Sequence, residues 1–147
     1  AMTGWRLGYA VWPDAAVGHA TRLCINDHSC VNAAAQYAGI AALTGPQHAV
    51  DEMMRAFDAR RRLIVARLNA LPGVRCTDPA GAFYAFANIE GTGMSAGEAQ
   101  DRFLEEAGVA AIAGTSFGAG GEGFLRFSYA NSTEAIEEAM ARIAALL

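Results

Sequence analysis

The sequence contains no lysine, because all eleven of its basic residues are arginines. A chain without lysine has no side-chain amine for Schiff-base chemistry, so its own residues cannot provide that kind of covalent catalysis. Cysteine is also scarce, and Cys24, Cys30 and Cys76 are never spaced Cys-x-x-Cys. This usage argues against a disulfide framework or a zinc site, and it predicts a reducing, cytoplasmic setting.

Positive charge and long apolar runs are lacking as well. The formal net charge is −4, which makes a nucleic-acid-binding face improbable. The apolar runs fall short of the ~20 residues that a membrane-spanning helix needs, so we expect no membrane segment. The three histidines, His19, His28 and His48, have no partners at metal-ligand spacing, and no metal site is predicted.

The first 45 residues predict an incomplete architecture. The alternation over Gly4–Trp12 predicts a β-strand, and the alanine-rich stretch Ala15–Leu43 predicts a helix with a break near Asn26–Ser29. One strand and one helix cannot form a sheet, since the strand would leave both edges unpaired. We therefore expect this region to be part of a larger α/β domain.

A long amphipathic helix is the clearest element of the sequence. Apolar residues recur at three- and four-residue steps from Val50 to Leu71, with charged residues between them. Pro72-Gly73 ends the pattern. A helix of this length typically links two packed units, so residues 46–72 are predicted to be a connecting helix.

The remaining residues, 73–147, predict a β-β-α-β-β-α unit of the α+β type. A helix starts at the capping-box residue Ser95, and a last helix starts at Asn131 with Glu134 at the third helical position. A loop with five glycines, Gly114–Gly123, precedes the last strand. The predicted strands are Val74–Thr77, Ala82–Asn88, Val109–Ile112 and Phe124–Tyr129.

Two arginines lie in predicted strands among apolar residues. Arg6 is flanked by Gly4 and Gly8, and Arg126 lies within Phe124–Tyr129. Burying a guanidinium costs several kcal/mol unless an anion meets it. That anion can be a ligand's carboxylate or phosphate, or an acidic residue in a structural ion pair. The residues alone leave both alternatives open.

Several motifs nevertheless resemble one enzyme family. Ala1–Gly8 reads Ala-Met-Thr-Gly-Trp-Arg-Leu-Gly and resembles the end of the signature Ser-Lys-x-[Tyr/Phe]-Ala-Met-x-Gly-Trp-Arg-[Leu/Ile]-Gly of class I, fold-type I, pyridoxal-phosphate-dependent aminotransferases. The resemblance continues through Gln36–Thr44, Pro79–Tyr84, Gly114–Gly118 and Leu125–Ala130. It covers essentially the whole chain and is nearest to the bacterial aspartate and aromatic aminotransferases.

The resemblance implies a role for each arginine and a division of the chain. Arg6 would bind the phosphate of pyridoxal 5'-phosphate, and Arg126 would bind the carboxylate of an amino acid or 2-oxo acid. Residues 1–45 would be a remnant of the large cofactor-binding domain, 46–72 the connecting helix and 73–147 the small C-terminal domain. Such enzymes are typically homodimers.

The signature's lysine would lie three positions before Ala1 and is absent. We therefore expect the chain to be the C-terminal part of an aminotransferase and, by itself, to be catalytically inactive and to bind no cofactor. Two alternatives remain: a pyridoxal-phosphate-dependent lyase or synthase of the same fold, or a non-catalytic binding or regulatory domain.

Overall fold

The computed structural model describes residues 2–147, so Ala1 of the Ala1–Gly8 motif lies outside the described residues. The chain divides into two compact units, residues 1–49 and residues 50–147. The architecture mixes helices with one antiparallel sheet, in agreement with the predicted α/β class. The assignment of residues 1–45, 46–72 and 73–147 to parts of a larger enzyme stays a prediction.

The predicted strand Gly4–Trp12 is wrong. A short 3-10 turn covers Thr3–Trp5, and the chain from Leu7 to Pro13 has no regular structure. A strand requires a neighbour for its backbone hydrogen bonds, and residues 2–49 contain no other strand. Arg6 has a φ of 51°, a left-handed conformation that a strand cannot include.

Two helices make up the rest of the first unit, α1 (Asp14–His28) and α2 (Ala33–Thr44). The predicted helix break is confirmed, because α1 ends at His28 and Ser29 follows with a φ of 62°. The Asn32 side chain then caps α2 by accepting a hydrogen bond from Ala35 N at 3.2 Å.

The predicted long helix is confirmed as α3 (His48–Asn69), which begins two residues after Pro46. Its apolar stripe includes Ile64 and Leu68, which are buried in the core of the second unit. The helix is therefore held by packing along its C-terminal half.

After α3, residues 73–147 of the second unit have the predicted order of strands and α-helices, β-β-α-β-β-α. Its strands are β1 (Arg75–Cys76), β2 (Tyr84–Asn88), β3 (Ile112–Ala113) and β4 (Phe124–Ser128). Its helices after α3 are α4 (Ala96–Glu105) and α5 (Thr133–Leu146). The strands form one sheet in the order β1-β2-β4-β3, and all neighbours are antiparallel.

Two local predictions need correction. The third strand covers Ile112–Ala113 rather than Val109–Ile112, since only those residues pair with β4. The last helix is capped by Ser132, whose hydroxyl accepts a hydrogen bond from Ala135 N at 3.1 Å, and not by Asn131. The cap of α4 is as predicted, because the Ser95 hydroxyl accepts from Glu98 N at 3.2 Å.

The sheet has one buried and one more open face. Alternate residues of β2 and β4 point into the core, where helices α3, α4 and α5 contribute their apolar stripes. The residues between them are half-buried or exposed. The buried set includes Ala85, Ala87, Leu125, Phe127, Ile64, Leu68, Phe103, Ile136, Met140 and Ile143.

Candidate functional site

Arg126 lies on the open face of the sheet, in the middle of the inner strand β4. It pairs with Phe86 of β2 on one side and with Ile112 of β3 on the other. Two-sided pairing fixes the backbone of this residue, and the alternation of β4 leaves its side chain half-buried. The structure thus places the predicted arginine on a rigid support with its side chain on the accessible side.

Two aromatic rings contact the guanidinium of Arg126. Its Cζ atom lies 4.3 Å from the centroid of the Tyr84 ring and 4.4 Å from that of the Phe117 ring. Both distances are well inside the ~6 Å range of cation–π attraction. The positive charge is therefore stabilised by ring faces, which compete for none of its hydrogen-bond donors.

No acidic residue pairs with Arg126 in the part of the chain that the structure describes. Five other arginines of the second unit form ion pairs, whereas Arg55, Arg60 and Arg75, like Arg126, form none within residues 2–147; the five are Arg61, Arg62, Arg67, Arg102 and Arg142. Arg126 therefore takes part in no structural ion pair within residues 2–147, which was one of the two alternatives that the sequence left open. Its guanidinium donors have no carboxylate partner among residues 2–147.

Arg61 differs from Arg126 in that its guanidinium is paired with two carboxylates. It lies between Asp58 of α3 and Asp78 of the turn after β1, at the side of a cleft of about 680 Å³. Hydrogen bonding to Arg61 lowers the pKa of Asp58, and hydrogen bonding to Asp58 raises the pKa of Arg61. The charge of Arg61 is met by carboxylates of the chain itself, unlike that of Arg126, so Arg61 is not free to bind an anion.

Phe117 is carried by the glycine-rich loop after β3. Gly114 and Gly121 approach each other so closely that a Cβ atom on either would overlap the backbone of the other. The start of the loop is tied to α4, because Ala113 N donates a hydrogen bond to the Gln100 side-chain oxygen at 2.8 Å. The sequence analysis noted the glycine-rich loop but did not single out Phe117 or Tyr84 as neighbours of Arg126, although an aromatic residue within a glycine loop was a visible signal.

Arg6 is placed differently from the prediction. It is exposed rather than buried in a strand, and its guanidinium donates to the Thr3 carbonyl at 3.5 Å. It lines a hollow of about 510 Å³ together with Met2, Thr3, Leu7 and Gly8. Arg6 belongs to the first unit and Arg126 to the second.

The surroundings of Arg6 fit the phosphate end of pyridoxal phosphate. Its guanidinium has no ion pair within residues 2–147, and a Cβ atom at Gly4 or Gly8 would meet nothing within 4 Å, so an anion can approach the backbone there. The 147 residues include no lysine, so no side chain of this chain can form a Schiff base with that cofactor.

Two other kinds of feature are absent from residues 2–147. No group of three or more histidine, cysteine or acidic side chains is arranged to hold a metal ion. No helix in this part of the chain combines the length and the apolar character needed to cross a membrane.

The family model for class I and II aminotransferases matches residues 1–143. The chain belongs to this family. It is 46% identical to an aspartate aminotransferase of Pyrococcus horikoshii, covering 97% of this chain and 37% of that protein. It is 40% identical to aromatic-amino-acid aminotransferase 2 of Thermococcus litoralis, covering 100% of this chain and 38% of that protein.

Solved structures of this family share the fold. The crystal structure of an aromatic aminotransferase from Pyrococcus horikoshii matches with a TM-score of 0.91 and 38% identity, over 99% of this chain and 39% of that one. An aspartate aminotransferase from Rhizobium meliloti matches with a TM-score of 0.86 and 37% identity, over 98% of this chain and 38% of that one. The resemblance and fold class read from the motifs are confirmed, and the chain spans about 38% of the length of these relatives.

Proposed function

We propose that this chain is the C-terminal part of an aminotransferase and that Arg126 binds the α-carboxylate of the amino acid or 2-oxo acid. The observation that carries the proposal is a half-buried guanidinium held between two ring faces without an acidic partner in the described residues. The chain belongs to the aminotransferase family, whose members transfer an amino group from an amino acid to a 2-oxo acid, and both of these compounds carry such a carboxylate.

The geometry of arginine suits this role. Its five N–H donors lie in one plane in a fixed fork, which matches the two oxygens of a carboxylate. A charge-assisted, bidentate pair of this kind is stronger than a neutral hydrogen bond and fixes the orientation of the bound group. Arg126 would therefore both bind the substrate and orient it with respect to the reacting carbon.

Arg6 is proposed to hold the phosphate of pyridoxal 5'-phosphate. When bound, this cofactor supplies the electron sink that amino-group transfer requires. Arg6 would contribute charge and hydrogen bonds at the phosphate, beside a backbone turn with open space around Gly4 and Gly8.

The larger assembly is part of the same proposal. Residues 1–45 would complete a large domain, 46–72 would connect it to the small domain 73–147, and the whole protein would act as a homodimer. The chain alone would be inactive, because it contains no lysine side chain to tether the cofactor.

The proposal is tested by titrating the 147-residue protein with propionate, a minimal carboxylate, and following the Arg126 side-chain NMR signals. Chloride at matched ionic strength serves as the reference. We expect propionate to shift the Arg126 Nε–H signal, and Arg126→Ala to remove the binding. In the longer protein that carries this chain, the same variant should raise KM for the amino acid by about 30-fold or more, since loss of a buried charged partner costs ~2–5 kcal/mol.

Arg142→Ala is the matched control. It removes the same charge from α5, where Arg142 is exposed and paired with Glu138. If Arg126→Ala and Arg142→Ala bind propionate equally well, Arg126 is not the carboxylate site. Analysis of the products of the longer protein separates amino-group transfer from a lyase or synthase reaction.

A further inference from the structure

Phe117 is an aromatic residue without an obvious structural reason for its place. Its side chain is 55% exposed, so it contributes little to the core. Its ring face nevertheless lies 4.4 Å from the Arg126 Cζ atom. A ring face at this distance attracts the guanidinium electrostatically, so the main contact of Phe117 described here is with the cation and not with the core.

We propose that Phe117 is a positioning residue: together with Tyr84 it holds the Arg126 guanidinium in the orientation that receives a carboxylate. This inference rests on the proposed role of Arg126 as the carboxylate site. Neither ring touches the substrate in this proposal; both act through the arginine.

The need for such positioning follows from the hydrogen bonds of Arg126. Within residues 2–147 its guanidinium donates to no side chain or carbonyl, in contrast to Arg61 and Arg67, which carboxylates hold in place. A free arginine side chain populates many rotamers, and ordering it on binding reduces affinity. The ring contacts are the interactions that orient Arg126 before a ligand arrives.

The two rings are supported in different ways. Tyr84 is part of β2, where its backbone pairs with Ser128 of β4, and its ring also packs on Phe83 with centroids 4.6 Å apart. Phe117 ends a 3-10 turn in the glycine-rich loop, whose shape is set by the close approach of Gly114 and Gly121. Tyr84 is thus held in place by the sheet, whereas Phe117 lies in a loop. Replacing Phe117 therefore leaves the sheet intact.

This difference makes Phe117 the informative residue to change. Phe117→Leu and Phe117→Met remove the aromatic face but keep an apolar side chain, and Phe117→Tyr keeps the ring. Phe124→Leu is the control: Phe124 lies on the same face of β4 and stacks on Phe86 at 5.0 Å, but makes no cation–π contact with Arg126.

The experiment measures two quantities on the 147-residue protein. The first is the chemical shift of the Arg126 side-chain protons, which a nearby ring face displaces upfield. The second is the dissociation constant for propionate. We expect Phe117→Leu and Phe117→Met to lose part of the upfield displacement and to bind propionate about three- to tenfold more weakly. Phe117→Tyr should restore both values, and Phe124→Leu should leave both unchanged.

The outcomes separate this inference from the proposed function. If the ring-less variants keep the Arg126 shifts or the propionate affinity of the unmodified protein, while Arg126→Ala abolishes binding, the positioning role is refuted and the carboxylate site stands. If Phe124→Leu weakens binding as much as Phe117→Leu, the effect is a general one of the sheet face, and the positioning role is again refuted. If the unmodified protein shows no binding that depends on Arg126, both proposals fail.

Discussion

Replacing Gly114 by alanine should disturb the candidate site through the backbone rather than through the site's own side chains. Gly114 is buried, and a Cβ atom there would overlap the Gly121 carbonyl oxygen and lie 2.9 Å from Phe86 Cζ. Real Cβ atoms essentially never approach other atoms so closely, and a backbone carbonyl cannot move aside as the end of a flexible side chain can. The loop that carries Phe117 must therefore shift.

The magnitude follows from the nature of the overlap. Forcing an extra carbon into a packed site costs typically ~1–3 kcal/mol. A small protein loses about 1–3 kcal/mol of stability per molar urea, so a cost of ~2 kcal/mol lowers the urea midpoint by roughly 1 M. We expect Gly114→Ala to lower the urea midpoint of the second unit and to weaken propionate binding, because Phe117 moves away from Arg126.

The assay follows the amide signals of β4 in increasing urea, with Gly120→Ala as the matched control. Gly120 lies in the same loop, but a Cβ atom there would meet nothing within 4 Å. Gly120→Ala should therefore unfold at or slightly above the midpoint of the unmodified protein. Equal midpoints for the two variants would show that the loop is not closed by the contact between Gly114 and Gly121.

Two further predictions concern ionisable groups. Burial raises the pKa of the Cys76 thiol. Iodoacetamide at about pH 8 should therefore alkylate exposed Cys24 and Cys30 much faster than Cys76, as followed by mass spectrometry. Equal alkylation rates would contradict the packing of β1. Hydrogen bonding to Arg67 lowers the pKa of Glu137 in the folded protein, so its stabilising contribution is present above the ordinary glutamate pKa and is lost as the pH falls through the lowered value. Glu137→Gln should accordingly unfold at lower urea than the unmodified protein at about pH 6, and the difference should shrink as the pH falls below the ordinary glutamate pKa; a difference independent of pH would refute this pairing.

Features of the fold that depend on local sequence were predictable. The spacing of apolar residues predicted α3, since a helix buries one stripe whatever its neighbour is. The Ser95 cap could also be recognised, because a capping hydroxyl and its amide lie three residues apart. The element order of residues 73–147 followed from such local signals.

Features that depend on distant partners were not predictable. Gly4–Trp12 alternates as a strand does, but a strand forms only where another strand completes its hydrogen bonds. The position of Arg126 on a strand was predicted correctly. Its contacts with Tyr84 and Phe117 were not, because they depend on how a glycine loop folds back over the sheet, and the sequence does not encode that as a period or a spacing.

The pairing of Arg126 at both edges of β4 has a consequence for which substitutions this region can accept in evolution. Inner strands open only with global unfolding, whereas loops open locally and tolerate insertions and substitutions. Arg126 and Phe117 therefore belong to parts of the protein that tolerate substitution to different degrees. Variation in the composition or length of the 114–121 loop can reshape the surroundings of the bound ligand while the point to which the ligand is anchored stays where it is.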